Sequence, residues 1–206
     1  MSTTPPFDEA GADLFIESVM RGNARWMSRY RGSPAVNGSA KAVVLTCMDS
    51  RIPPLEMLGL EPGEVFIIRN AGNAVTPDSL RSLLICLTVM ECRKVLVVGH
   101  SRCGMRSSGD LDERVSEAVD HRALESHLGA EIGDLSRWLG FHDRSEEDWA
   151  ISQARELGRL LPRVMPGQKV RVYAALYDLD DGRLEMLLPS VPEQEDDDVA
   201  HHQHEK

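Results

Sequence analysis

"AVVLTCMDSR" fills residues 42–51 and joins two unlike halves. "AVVLT" (42–46) is short, continuous and apolar, the pattern of a strand buried on both faces of a parallel sheet. It is followed at once by Cys47, Asp49 and Arg51, three side chains that carry chemistry. Working outward, the same strand pattern recurs at "VFIIR" (65–69) and "VLVVG" (95–99), and a fourth β-rich run is "VRVYAALYDL" (170–179). Between the second and third runs, "DSLRSLLICLTVMEC" (78–92) has apolar residues at helical spacing, with Asp78 or Ser79 as its N-cap. A strand, a crossover helix and a strand thus follow in order.

Two further helices are expected at 13–30 and 146–161, one before this core in the chain and one after it, and "YDLDDGRLEML" (177–187) reads as a hairpin turning at Asp181–Gly182. The predicted class is α/β: a mostly parallel central sheet with flanking helices and an antiparallel C-terminal edge hairpin. The stretch 105–145 is helical and polar in patches, and the pattern gives it no place.

A chain of 206 residues, 42% hydrophobic, suffices for one domain with a sizeable core, expected over 1–192. The remaining "EQEDDDVAHHQHEK" (193–206) is an acidic, His-containing tail, too poor in apolar residues to offset the entropy of ordering. Its six acids against one lysine contribute −5 of the net −10. No basic run marks a nucleic-acid face, and no apolar segment approaches the ~20 residues that span a bilayer. The amino terminus lacks a basic start followed by an apolar stretch, so a cytoplasmic protein is expected. Cys47, Cys86, Cys92 and Cys103 are then poor disulfide candidates, each either core or chemistry.

In open parallel sheets ligands bind beyond the carboxyl ends of the strands. Those ends carry Cys47-x-Asp49-x-Arg51, then "NAGN" (70–73), then "HSRCG" (100–104). Taken alone, Cys47 reads as core and His100-x-x-Cys103 as a chance spacing. Together, on strands that a parallel sheet can place side by side, they form a Cys₂His set of the kind zinc binds tetrahedrally with a fourth position open. Thiolates argue against magnesium or calcium. Asp49 and Arg51 read either as a surface ion pair or as a carboxylate held in place by a guanidinium fork. Cys86 and Cys92 read as core, and Trp26 and Trp149, on the flanking helices, as packing residues of either the core or a dimer contact. His121, His127 and His142 fall in the unplaced stretch.

These residues resemble the β-class carbonic anhydrases. "CMDSR" looks like the family's Cys-x-Asp-x-Arg signature and "HSRCG" like its His-x-x-Cys-Gly signature. "EPGEVFIIRNAGN" (61–73) and "VRVYAALYDLDDGRLEML" (170–187) are similar to the family's intervening segment and closing strands. The resemblance implies that Cys47, His100 and Cys103 bind Zn²⁺, that Asp49 and Arg51 form the catalytic pair, and that Ala71, Gly72 and Asn73 line the substrate pocket. It also implies reversible hydration of carbon dioxide to bicarbonate by a homodimer or higher homo-oligomer. In some members the aspartate matching Asp49 swings onto the metal as a fourth ligand. Hydrolysis of carbonyl sulfide or carbon disulfide, and a non-catalytic role in assembly or regulation, are the alternative readings. Arg102 departs from the small or acidic residue common before the second cysteine. It is expected to face solvent or to pair across a dimer; the alternative is a cation that raises local bicarbonate.

Overall fold

A computed structural model describes residues 9–32, 40–106 and 111–190. The chain divides into two compact units, 1–35 and 36–206. The first contains helix α1, Glu9–Met27, on which Phe15, Ile16, Met20, Trp26 and Met27 are exposed. The Trp26 and Tyr30 rings lie 6.0 Å apart.

The second unit runs β1 (Ala42–Cys47), β2 (Phe66–Asn70), α2 (Pro77–Thr88), β3 (Lys94–His100), α3 (Leu111–Ala118), α4 (His121–Leu128), α5 (Leu135–Leu139), α6 (Glu146–Val164), β4 (Arg171–Tyr177) and β5 (Leu184–Leu188). The strands form one sheet in the order β2-β1-β3-β4-β5, parallel except for the β4–β5 pair. The four expected strands and the edge hairpin are therefore present. The hairpin closes where the Asp178 amide donates to Arg183 O at 2.8 Å and the Gly182 amide to Asp178 O at 2.9 Å.

Both sheet faces are covered, which is why β1 and β3 read as unbroken apolar runs. On one face Val43, Val95, Val97 and Ala174 pack with Leu83 and Leu87 of α2 and Leu157 and Leu161 of α6. On the other, Val44, Val98 and Ala175 pack with Ile52, Met57 and Leu58. At Gly99, α6 comes so close that an added Cβ would lie 3.1 Å from Ala150 Cβ and 3.2 Å from Glu146 O.

Two helix expectations are corrected. The N-cap of α2 is Thr76, not Asp78 or Ser79: Thr76 Oγ1 accepts from the Ser79 amide at 3.2 Å, and Ser79 Oγ accepts from the Thr76 amide at 2.8 Å. Pro77 then occupies the first helical position, where its missing N–H costs nothing. The helix stops at Thr88 rather than 92, because the chain turns through Glu91 (φ 56°) to enter β3. The unplaced stretch holds α3, α4 and α5, with Asp120 and Asp134 as N-caps and Gly129 and Gly140 as left-handed C-caps. The acidic tail lies outside the described residues.

Candidate metal centre

Strands β1 and β3 are adjacent and share the rung Thr46–Val98. Cys47 and His100 therefore leave the sheet within two residues of one level. Both are buried, at 4% and 1% exposure. After His100 the chain reverses through Arg102 in the left-handed region (φ 56°) and returns Cys103 to the strand ends. Cys103 Sγ stops 4.0 Å from Cys47 Sγ, and the three donor atoms of Cys47, His100 and Cys103 all lie within 4.8 Å of one another.

The donor set suits zinc on three grounds. Two thiolates each about 2.3 Å from a tetrahedral metal lie about 3.8 Å apart, close to the observed separation. His100 Nδ1 is 3.0 Å from Ser101 O; a proton donated to that carbonyl leaves Nε2 as the free lone pair. That Nε2 is buried and, among the described residues, has no hydrogen-bond partner, which is costly unless something else takes the lone pair.

The two thiols are unequal. Cys47 is pulled well below the usual thiol range, first by the hydrogen bond from Cys103 and then by His100 and the amides of Asp49 and Gly72, with burial opposing. Cys103 is pushed up, because its proton bridges to the Cys47 sulfur and because it is buried. The pair therefore shares one proton, which a bound metal would displace.

Asp49 stands beside this triplet but outside it. Its Oδ1 accepts from the Arg51 amide at 3.0 Å and from Arg51 Nε at 2.9 Å, and its Oδ2 accepts from Arg51 Nη2 at 2.6 Å. Oδ2 is also 4.0 Å from His100 Nε2. The Arg51 fork is the main reason the Asp49 carboxyl is held far below the usual carboxylate range. Arg51 Nη2 also donates to Arg102 O at 3.2 Å, so the left-handed turn that returns Cys103 supplies an anchor for the fork.

Of the expected pocket residues, Ala71 is half-buried, and Gly72 and Asn73 are buried with positive φ, 70° and 48°. A Cβ on Gly72 would sit 3.1 Å from both Cβ and Cγ of Met105. Gly72 joins the site through its amide, which contributes to lowering Cys47. Cys86 and Cys92 are buried in the core away from the triplet, as expected. Arg102 pairs within the chain, Nη2 to Asp180 Oδ1 at 2.7 Å.

The sequence profile of the carbonic anhydrase family matches residues 42–184. This chain belongs to the β-carbonic anhydrase family. Over 113 residues it is 33% identical to beta-carbonic anhydrase 1 of Mycobacterium tuberculosis, a match spanning 55% of this chain and 65% of that protein. It is 29% identical over 183 residues to a carbon disulfide hydrolase of Saccharolobus solfataricus, spanning 82% of this chain and 86% of that one. The crystal structure of carbonic anhydrase from Streptococcus mutans superposes with a TM-score of 0.64 at 24% identity, covering 84% of this chain and 97% of that one.

Three supports of this β-carbonic anhydrase site escape sequence reading. Arg69, near the end of β2, donates from Nε to Cys47 O at 3.0 Å and from Nη2 to Asp49 O at 2.6 Å, fixing the loop that bears both residues. The only signal was a cation in an otherwise apolar strand. Trp149 of α6 does more than pack, since Nε1 donates to Gly72 O at 2.7 Å. Its ring stacks on that of the buried His142 at 4.1 Å. Gln153 Oε1, buried, accepts from the Val75 amide at 2.7 Å and braces the segment after the Gly72 loop.

Proposed function

We propose that this chain catalyses reversible, zinc-dependent hydration of carbon dioxide to bicarbonate and a proton. The observation carrying the proposal is a Cys₂His triplet with an unpartnered, buried His100 Nε2 beside an aspartate clamped by arginine. Cys47, His100 and Cys103 would hold the metal. When bound, zinc supplies the Lewis acidity that brings the ionisation of water towards neutral pH.

The chain's own groups supply the rest. Asp49, kept ionised, can only accept hydrogen bonds, so it orients a proton-bearing group beside the triplet by fixing where that group's hydrogen points. Arg51 donates to both carboxylate oxygens, which would hold Asp49 back from the ligand set and leave room there for substrate. Arg69 keeps Cys47 and Asp49 in a fixed relation. Gly72 presents backbone rather than side chain next to Cys47, as a small, uncharged substrate requires.

Hydrolysis of carbonyl sulfide or carbon disulfide is the second reading, favoured by the likeness to a carbon disulfide hydrolase across most of the chain. One comparison separates the two: zinc-loaded protein assayed by stopped flow with dissolved carbon dioxide, and by sulfide release with carbonyl sulfide and carbon disulfide. Turnover of carbon dioxide that dominates, and falls in Asp49→Asn at unchanged zinc content, is the expected outcome. Dominant sulfide release would transfer the assignment to the second reading, and no turnover of any substrate at full zinc loading would remove catalysis altogether.

A homo-oligomer belongs to the same proposal, as the family's known assemblies imply. A reducing, cytoplasmic setting is supported by four cysteines that all remain free. Among the described residues no helix is long and apolar enough to cross a membrane.

A further inference from the structure

At the opposite end of the sheet from the metal centre, Arg93, Lys94, Lys169 and Arg171 line a recess of about 430 Å³. Lys94 opens β3 and His100 closes it, so the two sites are about 20 Å apart at a strand rise of about 3.3 Å per residue. The recess is wholly cationic on a chain of net charge −10. Among the described residues, none of its four cations takes part in an ion pair. Arg93 Nη1 is engaged, donating to Leu87 O at 2.9 Å and Cys92 O at 2.8 Å, and Lys94 Nζ reaches only Ala40 O at 3.5 Å. Four like charges gathered without an acid among them repel one another, so a negative occupant would relieve them.

Topology names the occupant. β5 runs antiparallel to β4, with Leu184 opposite Tyr177 and Leu188 opposite Ala174. The chain therefore leaves the sheet travelling toward Arg171, three residues beyond Ala174 and about 10 Å away. Beyond Ser190 come Val191 and Pro192, then Glu193, Glu195, Asp196, Asp197 and Asp198. Eight residues span up to about 27 Å when extended, so all five acids can reach the recess.

We propose that the acidic segment 193–198 of this chain docks on the Arg93–Lys94–Lys169–Arg171 recess. The tether holds the acids at an effective concentration on the order of millimolar, which compensates for the weakness of each exposed ion pair. A run of five carboxylates also suits four exposed cations better than one small anion does, because it can meet several of them at once.

The test follows the amides of 193–198 by NMR in the full-length ¹⁵N-labelled chain. At about 10 mM salt, where the Debye length is about 30 Å, their relaxation should be that of restrained backbone. At about 1 M salt, where it is about 3 Å, they should relax as a free chain. The variant Lys94→Gln/Lys169→Gln/Arg171→Gln, with Arg93 untouched, should give free-chain values at low salt while the amides of β1 and β2 keep their shifts. Neutralising the five acids to Gln and Asn should move the amides of Lys169 and Arg171, a second readout should the cation variant not fold. Free-chain relaxation in the unmodified protein at low salt, or restraint that persists in the cation variant, would overturn the proposal. So would restraint that grows with protein concentration, which means a second copy, or inorganic phosphate shifting the Arg171 amide without releasing 193–198, which assigns the recess to a free anion.

Discussion

Replacing Gly72 by alanine tests how tightly the backbone beside Cys47 is constrained. Gly72 has φ 70°, and a methyl group there would lie 3.1 Å from both Cβ and Cγ of Met105. The left-handed backbone costs a non-glycine residue roughly 1–2 kcal/mol. Overpacking against a neighbour whose Cβ is fixed by its own backbone adds about 1–3 kcal/mol. Gly129, which caps α4, separates the two contributions, because it has φ 66° and nothing within 4 Å of an added Cβ. Gly129→Ala should therefore show only the backbone cost, whereas Gly72→Ala should destabilise by about 2–5 kcal/mol. For a chain of this size that is a melting shift of about 4–20 °C. Gly72→Ala should also weaken zinc retention, since displacing the loop withdraws an amide from the Cys47 sulfur. Urea unfolding of both variants, with zinc counted by elemental analysis, supplies the numbers. If the two variants were equally destabilised to within about 0.5 kcal/mol, the close approach of Met105 would carry no energy and the reasoning would fail.

Three other outcomes are expected. Cys47→Ala should lose bound zinc while Cys86→Ala keeps it, and equal zinc in both would disprove the ligand set. His142 is held below the usual histidine range by burial, so the unfolded chain binds its proton more readily. The stability it contributes is complete above pH ~6.5 and is lost as pH falls below that value, so His142→Phe, which preserves a ring against Trp149, should flatten the stability–pH curve on its acid side. Denaturant melts at pH 5.5 and 7.5 read the difference, and a slope identical to that of the unmodified chain would count against it. Arg102→Ala removes an exposed pair with Asp180 and should change stability by less than ~1 kcal/mol, with bicarbonate dependence unaltered in the hydration assay. A changed bicarbonate dependence would give Arg102 the role of a local cation instead.

What the sequence determined by itself was whatever depends on short spacings and burial. Continuous apolar runs announced strands covered on both faces, and a helix pattern between two of them fitted strands running in the same direction, although β1 lies between them in the sheet. Donor types placed directly after those strands announced the triplet. Local signals worked less well where they competed: Asp78, Ser79 and Thr76 can all cap a helix, and only the fitted turn, with Pro77 at the first position, selects Thr76. The stretch 105–145 gave no clear reading because its helices run only five to eight residues, too short for a periodic pattern to stand out.

Tertiary structure alone decided what rests on partners far apart in sequence. The Arg69 clamp on Cys47 reaches across 22 residues, the Trp149 bond to Gly72 across 77, and the Arg51 bond to Arg102 across 51. Which nitrogen of His100 is free and which way Asp49 is held follow from such contacts. Donor types are written in the residues, but a proton or a lone pair is positioned by neighbours that only folding brings within hydrogen-bonding distance.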